Sequence, residues 1–64
     1  MTKVTVTRWC SSRVRSRRCL EEILNDEDEI TRALGQTPWT SPYVDDADAD
    51  AFRTCITSNG GEVA

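Results

Sequence analysis

The sequence contains no histidine. That removes the commonest general base and the commonest zinc ligand in one step. No stretch approaches the ~20 apolar residues of a membrane span. A basic beginning is followed by no apolar segment, so no secretory leader is expected. The three cysteines, Cys10, Cys19 and Cys55, include no C-x-x-C pair and lack zinc-ligand spacing. Their odd number, without a leader, predicts reduced thiols in a cytoplasmic protein, or in the host-cell cytoplasm if the chain is phage-encoded. No glycine-rich phosphate loop is present, because Gly60-Gly61 reads as a helix stop, and no serine has a partner base. No internal repeat is visible. The expectation is a protein that is not an enzyme and uses no cofactor and no metal.

One further absence is local. The first nineteen residues hold no acid, and their six charges (Lys3, Arg8, Arg13, Arg15, Arg17 and Arg18) are all positive. From Leu20 onward, two arginines stand against eleven acids, and the net charge is −3. So uneven a distribution points to electrostatic recognition.

The 64 residues form a single small domain, 1–64. A chain of this size buries only about 60% of its unfolded surface. Its large apolar residues suffice for one small core, which a dimer partner or a target can complete, and a monomer or a homodimer is expected. An enclosed substrate pocket, typically about 300 Å³ or more, has little room.

The expected fold class is α+β: an N-terminal strand, then two or three helices, with a short two- or three-stranded sheet. Residues 3–10 alternate as a strand, with Val4, Val6 and Cys10 on one face and Thr5, Thr7 and Trp9 on the other. Ser11 or Ser12 caps the helix that follows. Leu20, Ile23, Leu24, Ile30 and Leu34 share a helical stripe, which allows one helix over about 13–34 or two helices broken near Asn25, and the break is favoured. There Asp26 and Glu29 have the spacing of a capping box. Gly35 is expected just past that second helix, and Pro38 prevents continuation. Trp39–Val44 offers a short strand that Pro42 confines to an edge. Residues 46–57 read as a helix opened by Asp45 or Asp46 and stopped at Asn59-Gly60, or alternatively as a strand; the caps favour the helix. GEVA is a tail or a short edge strand.

Arg8, Arg13, Arg15, Arg17 and Arg18 suit bidentate contacts to phosphate. The competing reading is a solvated face paired with the chain's own acids, through Arg17–Glu21 and Arg18–Glu22 at i, i+4. Arg13 to Arg18 also occupy a helix start, where the dipole disfavours each cation by about 0.3–1 kcal/mol. The acids form two clusters: Glu21, Glu22, Asp26, Glu27, Asp28 and Glu29, then Asp45, Asp46, Asp48 and Asp50. Capping and solubility account for many of them. The sharper reading is a surface that crowds carboxylates as duplex DNA crowds phosphates, one per about 1.7 Å of axis. Asp46, Asp48 and Asp50 open like a calcium loop, but Ala51 and Thr57 occupy its two diagnostic positions.

Cys19 and Cys55 fall on or beside apolar stripes and are expected as core thiols. Cys10 ends a strand just before a helix, where amides and arginines lower a thiol pKa. VTVTRWCSSR resembles the opening of a thioredoxin- or glutaredoxin-like domain, and SNGG is similar to a glutaredoxin segment. That resemblance implies redox chemistry at Cys10. The family motif is C-x-x-C or C-x-x-S, whereas Arg13 stands in the fourth position here, and a later strand with its cis-proline is not expected to fit. Trp9, Trp39 and Tyr43 are expected to pack, and any of them found exposed becomes a candidate interface anchor.

Small size, acid-crowded segments (EEILNDEDE and DDADAD) and the absence of a catalytic constellation resemble the small acidic inhibitors of phages and mobile elements, including DNA-mimicking anti-CRISPR proteins. The resemblance implies a partner that is a basic nucleic-acid-binding protein, a CRISPR effector subunit among them. Direct nucleic-acid binding through the arginines is the alternative, and no membrane partner is expected.

Overall fold

The computed structural model describes residues 1–64. Six elements follow one another: β1 (Thr5–Arg8), α1 (Arg13–Glu21), α2 (Glu27–Gly35), β2 (Trp39–Thr40), α3 (Asp46–Ser58) and β3 (Glu62–Val63). The strands form one antiparallel sheet in the order β2-β1-β3. The fold is α+β, as the sequence pattern predicts.

β1 is the central strand. Val4 and Val6 turn into the core and Thr7 faces solvent. Thr5 pairs with Thr40 across to β2, and their hydroxyls lie 2.9 Å apart. Between Val6 and Arg8 the register shifts, since these residues oppose the adjacent Val63 and Glu62. An extra residue on one strand inverts the alternation beyond it. Trp9 therefore turns inward, against the expected alternation. Its ring lies 6.0 Å from Trp39 and 6.4 Å from Phe52, and Nε1 donates to the Ala33 carbonyl at 3.0 Å. Beyond β2, Ser41 continues the pairing. Its amide donates to the Val4 carbonyl, and its buried hydroxyl accepts from the Val4 amide, both at 2.8 Å.

Ser12 caps α1, its hydroxyl accepting from the Arg15 amide at 3.3 Å. Ser16, Cys19 and Leu20 form the buried face of α1. The chain breaks where expected, around Asn25, and restarts at Asp26, whose carboxylate accepts from the Asp28 and Glu29 amides. Only half of the capping box forms, because the Glu29 side chain turns to Arg32 at 2.7 Å. Gly35 is the last residue of α2, with an extended Gln36 as its cap, so it is not the residue past the end. The Thr37–Pro38 bond ahead of β2 is cis.

Residues 46–58 are helical. Ala49, Phe52 and Ile56 are the buried residues of α3, at a spacing only a helix places on one face. Asp45 occupies the cap position but its side chain makes no cap hydrogen bond. Asn59 ends the helix, and Gly60 takes a left-handed φ of 91°. Gly61 is buried where a Cβ would come within 2.7 Å of Ile56 Cγ2 and 2.8 Å of the Arg8 carbonyl oxygen. This close approach lets β3 lie beside β1.

Cys19 and Cys55 do not remain thiols. They form a disulfide between α1 and α3, with Cα atoms 5.7 Å apart. Both cysteines lie on or beside the apolar stripes of their helices, and packing those stripes against each other brings the two sulfurs together. The odd count thus resolves into one pair and one free thiol, Cys10.

Candidate functional site

No pocket opens in the surface of this fold. Five ion pairs form. Arg8 meets Glu62 at 3.1 Å, Arg32 meets Glu29 at 2.7 Å, Arg53 meets Asp50 at 3.4 Å, the Met1 amine meets Asp46 at 3.7 Å, and Arg17 grips both oxygens of Glu27. The i, i+4 pairs Arg17–Glu21 and Arg18–Glu22 are absent. Arg17 instead reaches from α1 to the first turn of α2, where both of its hydrogen bonds find one carboxylate.

Six acids are left without a cation: Glu21, Glu22, Asp26, Asp28, Asp45 and Asp48. All six are exposed. Asp26 spends its carboxylate on the α2 cap, and Asp28 lies in the same turn, where the helix dipole favours negative charge. Glu21 and Glu22 of the first predicted acidic cluster lie toward the opposite end of α3 from the second cluster. Cys55 sits against Cys19, next to Glu21 and Glu22, while Asp46 lies nine residues earlier on α3, about 13 Å along its axis. Asp46, Asp48 and Asp50 are helical, not arranged as a calcium loop.

Asp46 is the most engaged member of its cluster. The Thr2 hydroxyl donates to its carboxylate at 2.5 Å. That hydrogen bond, assisted by the N-terminal amine, holds its pKa below the ordinary aspartate value of 3.8.

The cations without an acid are Lys3, Arg13, Arg15 and Arg18. Arg13, Arg15 and Arg18 all lie exposed on α1, alongside Val14, which is 64% exposed. Arg8 is separate from them, held by Glu62 and donating to the Gly60 carbonyl at 3.3 Å. Lys3 lies 4.6 Å from the centre of the Tyr43 ring, a cation–π contact. Tyr43 is the one expected packing aromatic found at the surface, 62% exposed.

Cys10 is half-buried between the end of β1 and the start of α1. Its Sγ lies 3.1 Å from the Ser16 hydroxyl and, as a thiol, donates to the Ser12 carbonyl at 3.0 Å. Donation from Ser16 lowers its pKa against the opposing effect of burial. Backbone amides and the charge of Arg15 act in the same direction as Ser16. Cys19 and Cys55 are already bonded to each other, so neither is a free thiol beside it.

Sequence reasoning missed the disulfide and the Arg17–Glu27 pair. The spacing of Cys19 and Cys55 on facing stripes was the available signal for the first, and nothing local signalled the second. No helix is long and apolar enough to cross a membrane. Comparison with protein-family models, with curated proteins and with solved structures finds no match to this chain.

Proposed function

We propose that this chain is a non-enzymatic binding protein whose unpaired acids engage the basic groove of a nucleic-acid-binding protein and exclude its DNA or RNA. The observation that carries this reading is the set of six exposed carboxylates without cation partners, four at the α1–α2 corner and two at the start of α3. Asp28, Asp45 and Asp48 lie at helix starts, where the dipole favours their charge without an arginine, so it stays available to a partner. The distance of Glu21 and Glu22 from the start of α3 suits an extended groove better than a single point contact. A CRISPR effector subunit is one partner of the required chemistry, and the inhibitors of phages and mobile elements are the matching class.

A cytoplasmic site of action belongs to the same proposal. It requires the Cys19–Cys55 bond, with Cys19 fully buried, to resist cellular thiols.

The test is displacement of labelled duplex DNA from purified effector complexes, followed by fluorescence anisotropy. The Asp28→Asn/Asp45→Asn/Asp48→Asn variant should lose about tenfold or more in potency, and the wild type should weaken as salt rises. Displacement unchanged by both treatments rejects the mechanism.

A second reading rests on Arg13, Arg15 and Arg18, which have no acid of their own. Direct DNA binding through them would give a gel shift lost steeply with salt. No shift at low salt would discard it.

A further inference from the structure

We propose that α1 is a self-association surface, on which two copies of the chain pair antiparallel about a twofold axis. Arg13 and Arg15 of each copy then lie against the partner's Glu21 and Glu22. The inference goes beyond the acidic-surface reading and does not depend on it.

Ser16, Cys19 and Leu20 turn inward, which leaves Val14, Arg18 and Glu21 at the centre of the outward face, flanked by Arg15 and Glu22. Arg17 is drawn aside to Glu27 on α2. The outward face is therefore basic at one end and acidic at the other.

Both ends carry the wrong sign for a helix. Arg13 and Arg15 occupy the first and third positions, where the dipole is positive, and no acid lies in that turn. Glu21 is the last helical residue and Glu22 its cap, where the dipole is negative. Arg13, Arg15, Arg18, Glu21 and Glu22 make no ion pair within the chain. An antiparallel copy corrects both ends together: it brings carboxylates to the basic start and guanidiniums to the acidic finish. A phosphate-bearing ligand corrects only the start, and the two glutamates repel it from about 12 Å along the axis. A twofold axis makes the contact self-complementary, so one sequence supplies both halves.

Val14 supplies the apolar element of this contact, covered by the side-chain carbons of the partner's Glu21. Arg18 falls near the axis and meets its own symmetry mate, a like-charge contact that weakens the pair. The nine residues of α1 are about 13 Å long, so the interface is small and the dimer weak, populated at about 0.1–1 mM chain.

The experiment is sedimentation equilibrium of the full chain across that range at low and high salt, with no partner present, so that its outcome is separate from that of the displacement assay. Wild type should dimerise at low salt and dissociate at high salt. Two variants, Arg13→Glu/Arg15→Glu and Glu21→Arg/Glu22→Arg, should each self-associate about tenfold more weakly. Both reversals suit the helix dipole, so folding is not at risk. Mixed in equal amounts, one carries only acids at the four positions and the other only arginines, and the mixture should associate at least as tightly as wild type. Arg18→Ala should tighten the wild-type dimer several-fold by removing the repulsion on the axis. Non-specific attraction would instead weaken when a cation is removed from a chain of net charge −3. A wild type monomeric at about 1 mM and low salt overturns the proposal. So does a mixture no tighter than its components, or an Arg18→Ala variant that dimerises less.

Discussion

Replacing Cys19 and Cys55 together with alanine removes the covalent tie between α1 and α3. The bond closes a loop across a sequence separation of 36 residues. Loop-closure entropy for that length gives a contribution of about 4 kcal/mol at 25 °C. A 64-residue domain has a total stability of about 3–10 kcal/mol, so the bond supplies from two-fifths to all of it. At about 4–8 °C per kcal/mol for a domain of this size, Tm should fall by about 15–30 °C. The assay is a thermal melt followed by far-UV circular dichroism, with Cys10→Ser in every sample to exclude thiol exchange. Truncating buried Cys19 also removes packing, so wild type reduced with a phosphine belongs beside the alanine variant. Both should melt early, and the reduced protein should lose nearly as much as the variant. Without the Cys10 change, the oxidised chain should titrate one thiol, and the reduced, unfolded chain three. A reduced protein or alanine variant melting within about 3 °C of the oxidised chain would refute the entropic reasoning. Three thiols in the native protein would refute the pairing itself.

Three further outcomes are expected. Ser41→Ala leaves the Val4 amide without its acceptor in a buried setting, and urea midpoints should report a loss of about 1–3 kcal/mol; a loss near zero would mean the amide finds another partner. Ser16→Ala removes the hydrogen bond that chiefly lowers the Cys10 pKa, so alkylation of Cys10 by iodoacetamide at neutral pH should slow, and an unchanged rate would deny the hydroxyl that role. Asp46 has a depressed folded pKa, so its contact with Thr2 stabilises fully above the unfolded value of 3.8 and is lost as pH falls through the folded value. Thr2→Ala should therefore lower the urea midpoint at about pH 7 and have no effect at about pH 2; a difference that persists in acid would place the contribution elsewhere.

The helices were legible because their signals are local. Ser12 and Asp26 cap the positions their residue types favour, and Asn59 with Gly60 stops α3 where expected. The α+β class followed from the alternation of Val4 and Val6 ahead of those helices. What escaped depends on two segments at once. The inward turn of Trp9 needs the register of β1 against β3, which alternation within β1 cannot contain. Arg17 has a carboxylate four residues on, yet it chooses Glu27 because the break at Asn25 folds α2 back alongside α1. Of the candidate site, the residue types were legible and their grouping was not. Which acids remain without a cation is decided by long-range pairs such as Arg8 with Glu62 and the Met1 amine with Asp46.

The order of the strands has a consequence at high concentration. The four-residue strand β1 lies in the middle, and both open edges belong to strands of two residues. An edge so short offers an incoming chain almost no row of unpaired amides and carbonyls, and Pro42 follows the β2 edge closely. The native sheet is thus a poor template for fibre growth. Aggregation of this chain should begin from unfolded molecules and so rise sharply under reducing conditions.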